Sequence, residues 1–566
     1  MGISKERVTP IKANMKCLLF CLAVSMANCQ YGFDTATVGG FQAMIGFLEI
    51  FGYRDPDSPT GWGIDTQTQQ LMTSLINVGT IAGVFVTAPF ARYFGRREGI
   101  WVASIINFVA AGVQVGTTSI GGLYAGRALI GLANGYFITF ANIWVAEVAP
   151  AHLRGLLVSF FGVWVNIGSV LGAVANNYSK QHVNKLCYQI PLATMFAVPF
   201  LLSIFMFFIP ESPRWLLVHN KPEQARRALE KLRGSSLAPE FLNEEYVEMV
   251  RGIEEEKELA SSASYFDIFK GTDLRRTIIC WGTIMSHSAA GLWLIIGYGT
   301  FFFQIAGVDK PFEASIISTC GSFAGVLVGL YFTTKVIGRR TSMLFGSAMA
   351  SLCMLAIGVA YVTGGTSKPA GSAIVAFMVL YGFFYNGFSG TLSWPIATEV
   401  CSSRLRVLTI GLCTGINYFF NWLTSYTAPY FINPTQLNWG GKYAFIWAGS
   451  NFCVFRNFDQ SPTSRFDHNP RSQMRKSLHR SLTVISLLYR LVFFFFLLPE
   501  MKDRSLEELD ELFQNRVSVR DFKKYQCVSS ERAREVALKE TGGDGTKTGV
   551  VVETVEDATA VAASKV

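Results

Sequence analysis

The chain has 566 residues, half of them hydrophobic and only 16% charged, with a net charge of +9 and a mean hydropathy of +0.31. Soluble domains carry about 25% charged residues, so one large water-soluble core is excluded and a polytopic helical membrane protein is indicated. Nor does the basic excess point to nucleic acid. Lys and Arg sit at the ends of apolar runs, with no basic stripe interleaved with aromatics.

A bilayer-crossing helix needs about 20 mostly apolar residues. Such runs lie near 15–40, 70–91, 99–118, 121–143, 156–175 and 189–209. The first follows Lys5, Arg7 and Lys12 and is too long for the apolar core of a signal peptide, so residues 1–14 are expected to stay in the cytoplasm. A charged stretch, 211–276, comes next. Pro222-Glu223-Gln224-Ala225 opens an amphipathic helix there, and the stretch from Glu244 to Glu258 is strongly charged, so short solvated helices bracing two halves are expected. Further runs lie near 277–304, 314–335, 341–363, 371–397 and 407–430, and a last, interrupted one lies between 443 and 498. The interruption, 456–490, brings in charges from Arg456 to Arg480 that lipid does not tolerate unpaired. Removing it joins Cys453-Val454-Phe455 to Leu491-Val492-Phe493, as a translated intron would. The remainder, 499–566, is a cytoplasmic tail, polar and expected to be disordered from 511 onward.

The expected fold is therefore an all-α membrane protein of twelve helices in two halves, 15–210 and 277–498, with both termini cytoplasmic. A repeat supports this division. Phe94-Gly95-Arg96-Arg97 recurs as Ile337-Gly338-Arg339-Arg340, and Glu147 with Arg154 recurs as Glu399 with Arg406 at the same spacing. All four phrases fall on the cytoplasmic side, as does 211–276. The acidic segment 45–69 and the sequon Asn177-Tyr178-Ser179 fall outside, which makes Asn177 a glycosylation candidate. Most of the 11 cysteines lie within apolar runs with no CxxC pair, so they read as small hydrophobes. The six histidines are scattered, and no nucleophile–base set, metal cluster or phosphate loop is found. Neither an enzyme nor a bound cofactor or metal is expected.

Several motifs taken together resemble those of the sugar porter family of the major facilitator superfamily, fungal sugar/H+ symporters in particular. They are Gly32-Phe33-Asp34-Thr35, the two Gly-Arg-Arg turns, Gly126-Arg127-Ala128, Glu147-Val148-Ala149-Pro150 with Arg154, and Pro210-Glu211-Ser212-Pro213-Arg214-Trp215. Trp394 with Glu399 and Arg406, and Pro499-Glu500 with Lys502 and Arg504, complete the set. The resemblance implies a plasma-membrane, multi-pass carrier of a hexose or disaccharide, working as a monomer by alternating access.

It also implies roles. Arg96, Arg97, Glu147, Arg154, Glu211 and Arg214, with Arg339, Arg340, Glu399, Arg406 and Glu500, become gating charges. Their ion pairs hold the two halves together when the cavity faces outward. Arg92 and Lys335 stand where the family has acids, which weakens that clamp. Asp34 is costly in hydrocarbon and marks an ion path, with Arg127 its natural partner. The resemblance makes Asp34 the proton carrier and Arg127 its tuner.

Trp394 and Asn417 match sugar-site positions of the family, but elsewhere the chain departs from the pattern. Gly162 replaces a Gln in the fifth run, and His287, Ser288 and Trp293 stand where the seventh normally offers amides. Two readings follow: a different ligand (disaccharide, polyol, sugar acid or aromatic metabolite), or a hexose site rebuilt from Asn166, Thr300 and Asn421. Two further functions compete with sugar symport: uniport or export of a non-sugar metabolite, and nutrient sensing without transport.

Overall fold

In a computed structural model the chain is described over residues 14–452, apart from 57–60, 235–238, 262–263, 366 and 403. After 452 it is described at 493–494 and 497–501 and over most of 506–525. The interruption at 456–490, and the tail beyond 525, lie outside the described residues.

Eight helical spans among the described residues are long and apolar enough to cross a membrane. In the first half they include α4 (Thr66–Tyr93), α5 (Arg96–Gly116), α6 (Ile120–Val148) and α7 (Ala151–Ser179). Local sequence sets their ends. Asp65 caps α4 by accepting from Gln67 N at 3.1 Å and Thr68 N at 3.3 Å. Ser119 caps α6 through Gly122 N at 3.2 Å. The first apolar run is two helices, α1 (Met15–Ser25) and α2 (Ala27–Phe41), and the sixth is likewise split into α8 (Leu186–Thr194) and α9 (Ala197–Phe208). A short α3 (Ile45–Phe51) and a two-stranded hairpin, Tyr53–Arg54 with Trp62–Gly63, fill the loop after α2.

The linker holds the expected helices: α10 (Pro213–Val218), α11 (Pro222–Arg233) and α12 (Pro239–Ser261). On α11, Ala225, Ala228, Leu229 and Leu232 are buried at helical spacing while the neighbouring charges face out. Arg233 pins this bundle to the first half. It pairs with Glu245 and donates to Val148 O at 3.0 Å.

The second half comprises α13 (Gly271–Ser288), α14 (Leu292–Ile305), α15 (Pro311–Lys335) and α16 (Arg339–Gly364). It continues through α17 (Lys368–Phe384), α18 (Ser393–Val400), α19 (Arg406–Ile432) and α20 (Ala444–Phe452). The seventh run breaks at Gly291, whose φ of 82° only glycine adopts freely. A π-helical turn, Tyr385–Gly390, separates α17 from α18; such turns recur at functional sites.

The tail reading needs correction. A helix α21 (Leu506–Gln514) carries Leu509, Leu512 and Phe513 at i, i+3 and i+4, and these with Phe522 are buried against Ile279, Met343 and Ile396. That apolar stripe is enough to dock residues past 511 on the second half.

Across the two halves α2 packs on α14, α4 on α19 and α7 on α15. Within the first half α2 crosses α7 at backbone contact. A Cβ on Gly32 would lie 1.9 Å from Val165 O, and one on Gly168 would lie 2.0 Å from Cys29 O. Small residues at such crossings replace the missing hydrophobic drive between helices in lipid.

Candidate functional site: a cavity between the halves

A cavity of about 380 Å³ lies between the halves. Of the residues singled out in the sequence, Asn166, His287, Trp293, Trp394 and Asn417 line it, with Gly162, Thr300 and Asn421. Ser288 does not. It sits behind the wall, buried, with its hydroxyl on the carboxamides of Asn417 and Asn421. The sequence reading missed Tyr31, Asn142, Asn386 and Tyr418, which also line the cavity. Asn386 belongs to the π-helical turn, and no repeat or spacing marks it. No Asp, Glu, Lys or Arg is among the described lining residues. The polar groups of the wall are carboxamides, hydroxyls, two indoles and one imidazole, set among apolar side chains such as Ile138, Phe161, Val165 and Leu292.

Asp34 and Arg127 do meet. Arg127 Nη1 donates to Asp34 Oδ1 at 2.5 Å and Nη2 to Oδ2 at 3.3 Å, and Nε donates to Met72 O at 3.2 Å. Both side chains are buried. The pair is not part of the cavity wall, but Tyr31, one turn before Asp34 on α2, is. Asp34 therefore lies one helical turn from the cavity wall.

The two ends of the interface differ. Remote from the Gly-Arg-Arg turns it is sewn shut by bonds between halves: Gln42 Nε2 to Gly297 O at 3.1 Å, Asn77 Nδ2 to Ser425 Oγ at 3.1 Å, and Asn433 Nδ2 to Thr66 Oγ1 at 3.0 Å. Thr73 and Tyr298 add a hydroxyl pair. At the Gly-Arg-Arg end the repeated charges pair within their own halves. Arg96 binds Glu147 at 2.9 Å, and Arg339 binds Glu399 at 2.7 Å. Among the described residues no ion pair joins the halves at this end, and the clamp expected from the sequence belongs to the outward-facing arrangement alone. Arg154 is exposed, and Arg406 keeps Nε and Nη2 buried with no hydrogen-bond partner.

Glu211 and Glu500 do matching work as caps. Glu211 accepts from Arg97 N at 3.0 Å and Ser212 N at 2.7 Å, while Glu500 accepts from Arg339 N at 2.9 Å and Arg340 N at 3.2 Å. Each acid satisfies first-turn amides of the helix that follows a Gly-Arg-Arg turn, Arg97 N in α5 and Arg339 N and Arg340 N in α16, where the dipole favours an anion. Arg97 meanwhile stacks on Trp101 at 4.6 Å, and Arg214 follows Pro213 in α10.

Burial, reinforced by the Glu98 carboxyl, pushes Glu211 up to about 7 against the pull of the Ser212 and Arg97 amides. The sign follows. The folded state holds a proton that the unfolded chain has lost, so this contribution is present below about pH 4.5 and gone by about pH 7. The melting temperature of purified protein is expected to fall by a few degrees over that window relative to Glu211→Gln. Equal slopes in both proteins would refute the assignment.

Asn177 sits in the last turn of α7, and Ser179 is buried with its hydroxyl on Asn176 O. That helical, half-buried setting gives the sequon no support as a glycan acceptor.

Comparison with known proteins agrees with the architecture. The model of the family described as "Sugar (and other) transporter" matches residues 20–456. A major facilitator-type transporter of Aspergillus rugulosus, ecdD, is 28% identical over 94% of this chain and 93% of its own. A low-affinity glucose transporter of Saccharomyces cerevisiae is 28% identical over 79% of both chains, and a galactose transporter of that yeast is 26% identical over 90% of this chain and 83% of its own. The fold is similar to that of the Escherichia coli xylose transporter XylE in a partially occluded inward-open conformation, with a TM-score of 0.65 at 17% identity over 87% of this chain and all of that one. Two like halves, a cavity between them with no Asp, Glu, Lys or Arg in its described lining, and a family match over most of the sequence lead to one assignment. The chain belongs to the sugar transporter family of the major facilitator superfamily and is a membrane transporter, not an enzyme.

Proposed function

We propose that the protein carries a neutral sugar across the plasma membrane by alternating access, together with a proton taken up at Asp34. The observation that carries this is the cavity wall. Carboxamides and hydroxyls (Asn142, Asn166, Asn386, Asn417, Asn421) stand beside the indoles of Trp293 and Trp394, with no charged residue among the described lining. Amides exchange hydrogen bonds with hydroxyls in both directions, and an indole covers the apolar face of a pyranose ring. A sugar acid or other anion would bring a charge to a wall with no Lys or Arg among its described residues to compensate it. The names of the yeast relatives, glucose and galactose transporters, lean the same way.

In this reading the Gly-Arg-Arg end is cytoplasmic, both termini are cytoplasmic, and the described conformation opens inward. The halves 15–210 and 277–498 rock about the cavity, with 211–276 as the brace and 499–566 as the tail. In the outward-facing state Arg154 and Arg406 supply the ion pairs between halves that this conformation lacks. Lipid surrounds a monomer.

The test is uptake of labelled D-glucose, D-galactose and D-xylose by the full chain in cells without hexose carriers, measured against external pH and with an uncoupler. If no sugar enters and none competes, the sugar reading fails. Uptake that is flat with pH and indifferent to the uncoupler removes the proton.

A further inference from the structure

The break at Gly291 puts Ser288 on one side and Trp293 on the other, and both reach carboxamides on the same face of α19. Ser288 Oγ lies 2.6 Å from Asn417 Oδ1 and 2.6 Å from Asn421 Oδ1, and Trp293 Nε1 donates to Asn421 Oδ1 at 2.8 Å. A serine hydroxyl has one proton, so it cannot donate to two oxygens at that distance. The indole settles which one it serves. Trp293 has only a donor, so Asn421 must turn its oxygen toward it, and the Ser288 proton completes that oxygen. Ser288 Oγ then has only lone pairs left, so the Asn417 carboxamide faces it with nitrogen, the two ends of an amide being interchangeable in shape. Each amide has one end committed behind the wall, and both residues line the cavity.

We propose that Ser288 and Trp293 are positioning residues that set these two amides in opposite senses, with Asn417 presenting an oxygen and Asn421 a nitrogen to the substrate. One helical turn apart, acceptor and donor together read a hydroxyl that donates to Asn417 while it or its neighbour accepts from Asn421. The ligand class is a neutral molecule with vicinal hydroxyls, and neither Ser288 nor its proton touches it. This inference rests on the reading of the cavity as a sugar site.

The test uses the full-length protein and whichever of D-glucose, D-galactose and D-xylose it takes up best, with the deoxy and deoxyfluoro forms of that sugar as competitors. Fluorine accepts but does not donate. At one ring position it should therefore be as poor as hydrogen, weakening competition about tenfold, because Asn417 offers an acceptor there. Ser288→Ala frees the amide to turn. The KM is expected to rise about tenfold at unchanged maximal rate per carrier at the surface, and the fluorine penalty to shrink to about twofold. Ser288→Thr keeps the hydroxyl and should behave as the parent. If Ser288→Ala fails to reach the membrane, Trp293→Phe removes the indole donor together with part of the ring surface facing the sugar, and is expected to raise the KM for every sugar while shrinking the fluorine penalty in the same way.

Fluorinated sugars competing as well as the parent at every position, or an unchanged penalty in Ser288→Ala, would overturn the assignment while leaving sugar transport standing. A parent protein that takes up none of the three sugars overturns both.

Discussion

Arg127→Leu is expected to lose uptake by about two to three and a half powers of ten, and adding Asp34→Asn in the same chain is expected to bring the protein back to the membrane without restoring proton coupling. Asp34 is completely buried, and Arg127 is its only ion-pair partner among the described residues. Removing one member of a buried pair leaves an uncompensated charge and costs about 3–5 kcal/mol, which is the stated loss if it falls on the transport-competent state. Arg127→Leu also frees Met72 O, which accepts from Nε in the parent. Neutralising both partners removes the isolated charge, and such replacements are often neutral for stability. The double variant should therefore reach the surface in parental amounts and exchange sugar down its gradient, with uptake that no longer changes with pH or uncoupler. Surface labelling with parallel uptake reads both halves. A single variant as active as the parent, or a double variant that still responds to the uncoupler, defeats the role given to Asp34.

The architecture was legible because lipid simplifies the code. Long apolar runs had to be helices, the duplicated Gly-Arg-Arg phrases located matching ends, and an acid in a span required a cation that proved to be Arg127. Charges carry this information because they are rare there. Neutral polar residues do not. Asn142 and Asn386 face the cavity, while Asn107 and Asn134 are wholly buried inside the first half, and in sequence all four are single amides in apolar helices. Ser288 lies behind the cavity wall, and nothing in the sequence separates a hydroxyl that faces a solute from one that meets a neighbouring amide. The pairing of gate charges within halves was hidden for another reason. A carrier has two arrangements of one sequence, and sequence alone does not say which is occupied.

Deleting 456–490 is the second large effect expected: a protein that folds at least as well as the full chain and transports at least as fast. The reason is register. Against α16, Phe445 packs on Gly358, Ser351 donates to Ala448 O, and Glu500 caps the helix at Gly338 and Arg339. From the first of these contacts to the last, α16 runs back 20 residues, from 358 to 338, while the chain runs forward 55, from 445 to 500. Beside α13, Trp447 packs on Gly291, just past the end of that helix, and Phe493 on Gly282 within it, 9 residues back for 46 forward. Antiparallel helices advance at equal rates, so the two neighbours independently leave 35 and 37 residues outside the register. The interrupting segment is 35 residues long. With it removed, 444–455 and 491–498 make one run of 20 residues, about 30 Å of helix, the thickness of the hydrocarbon core. The Arg and Lys side chains of the charged segment have no place in lipid. Expression level, melting temperature and uptake of the shortened protein should equal or exceed those of the parent, and sequencing the spliced message should show the corresponding codons absent. A shortened chain that fails to fold, or a mature message that keeps those codons together with a loss of transport on their removal, would make the segment a working part of the carrier.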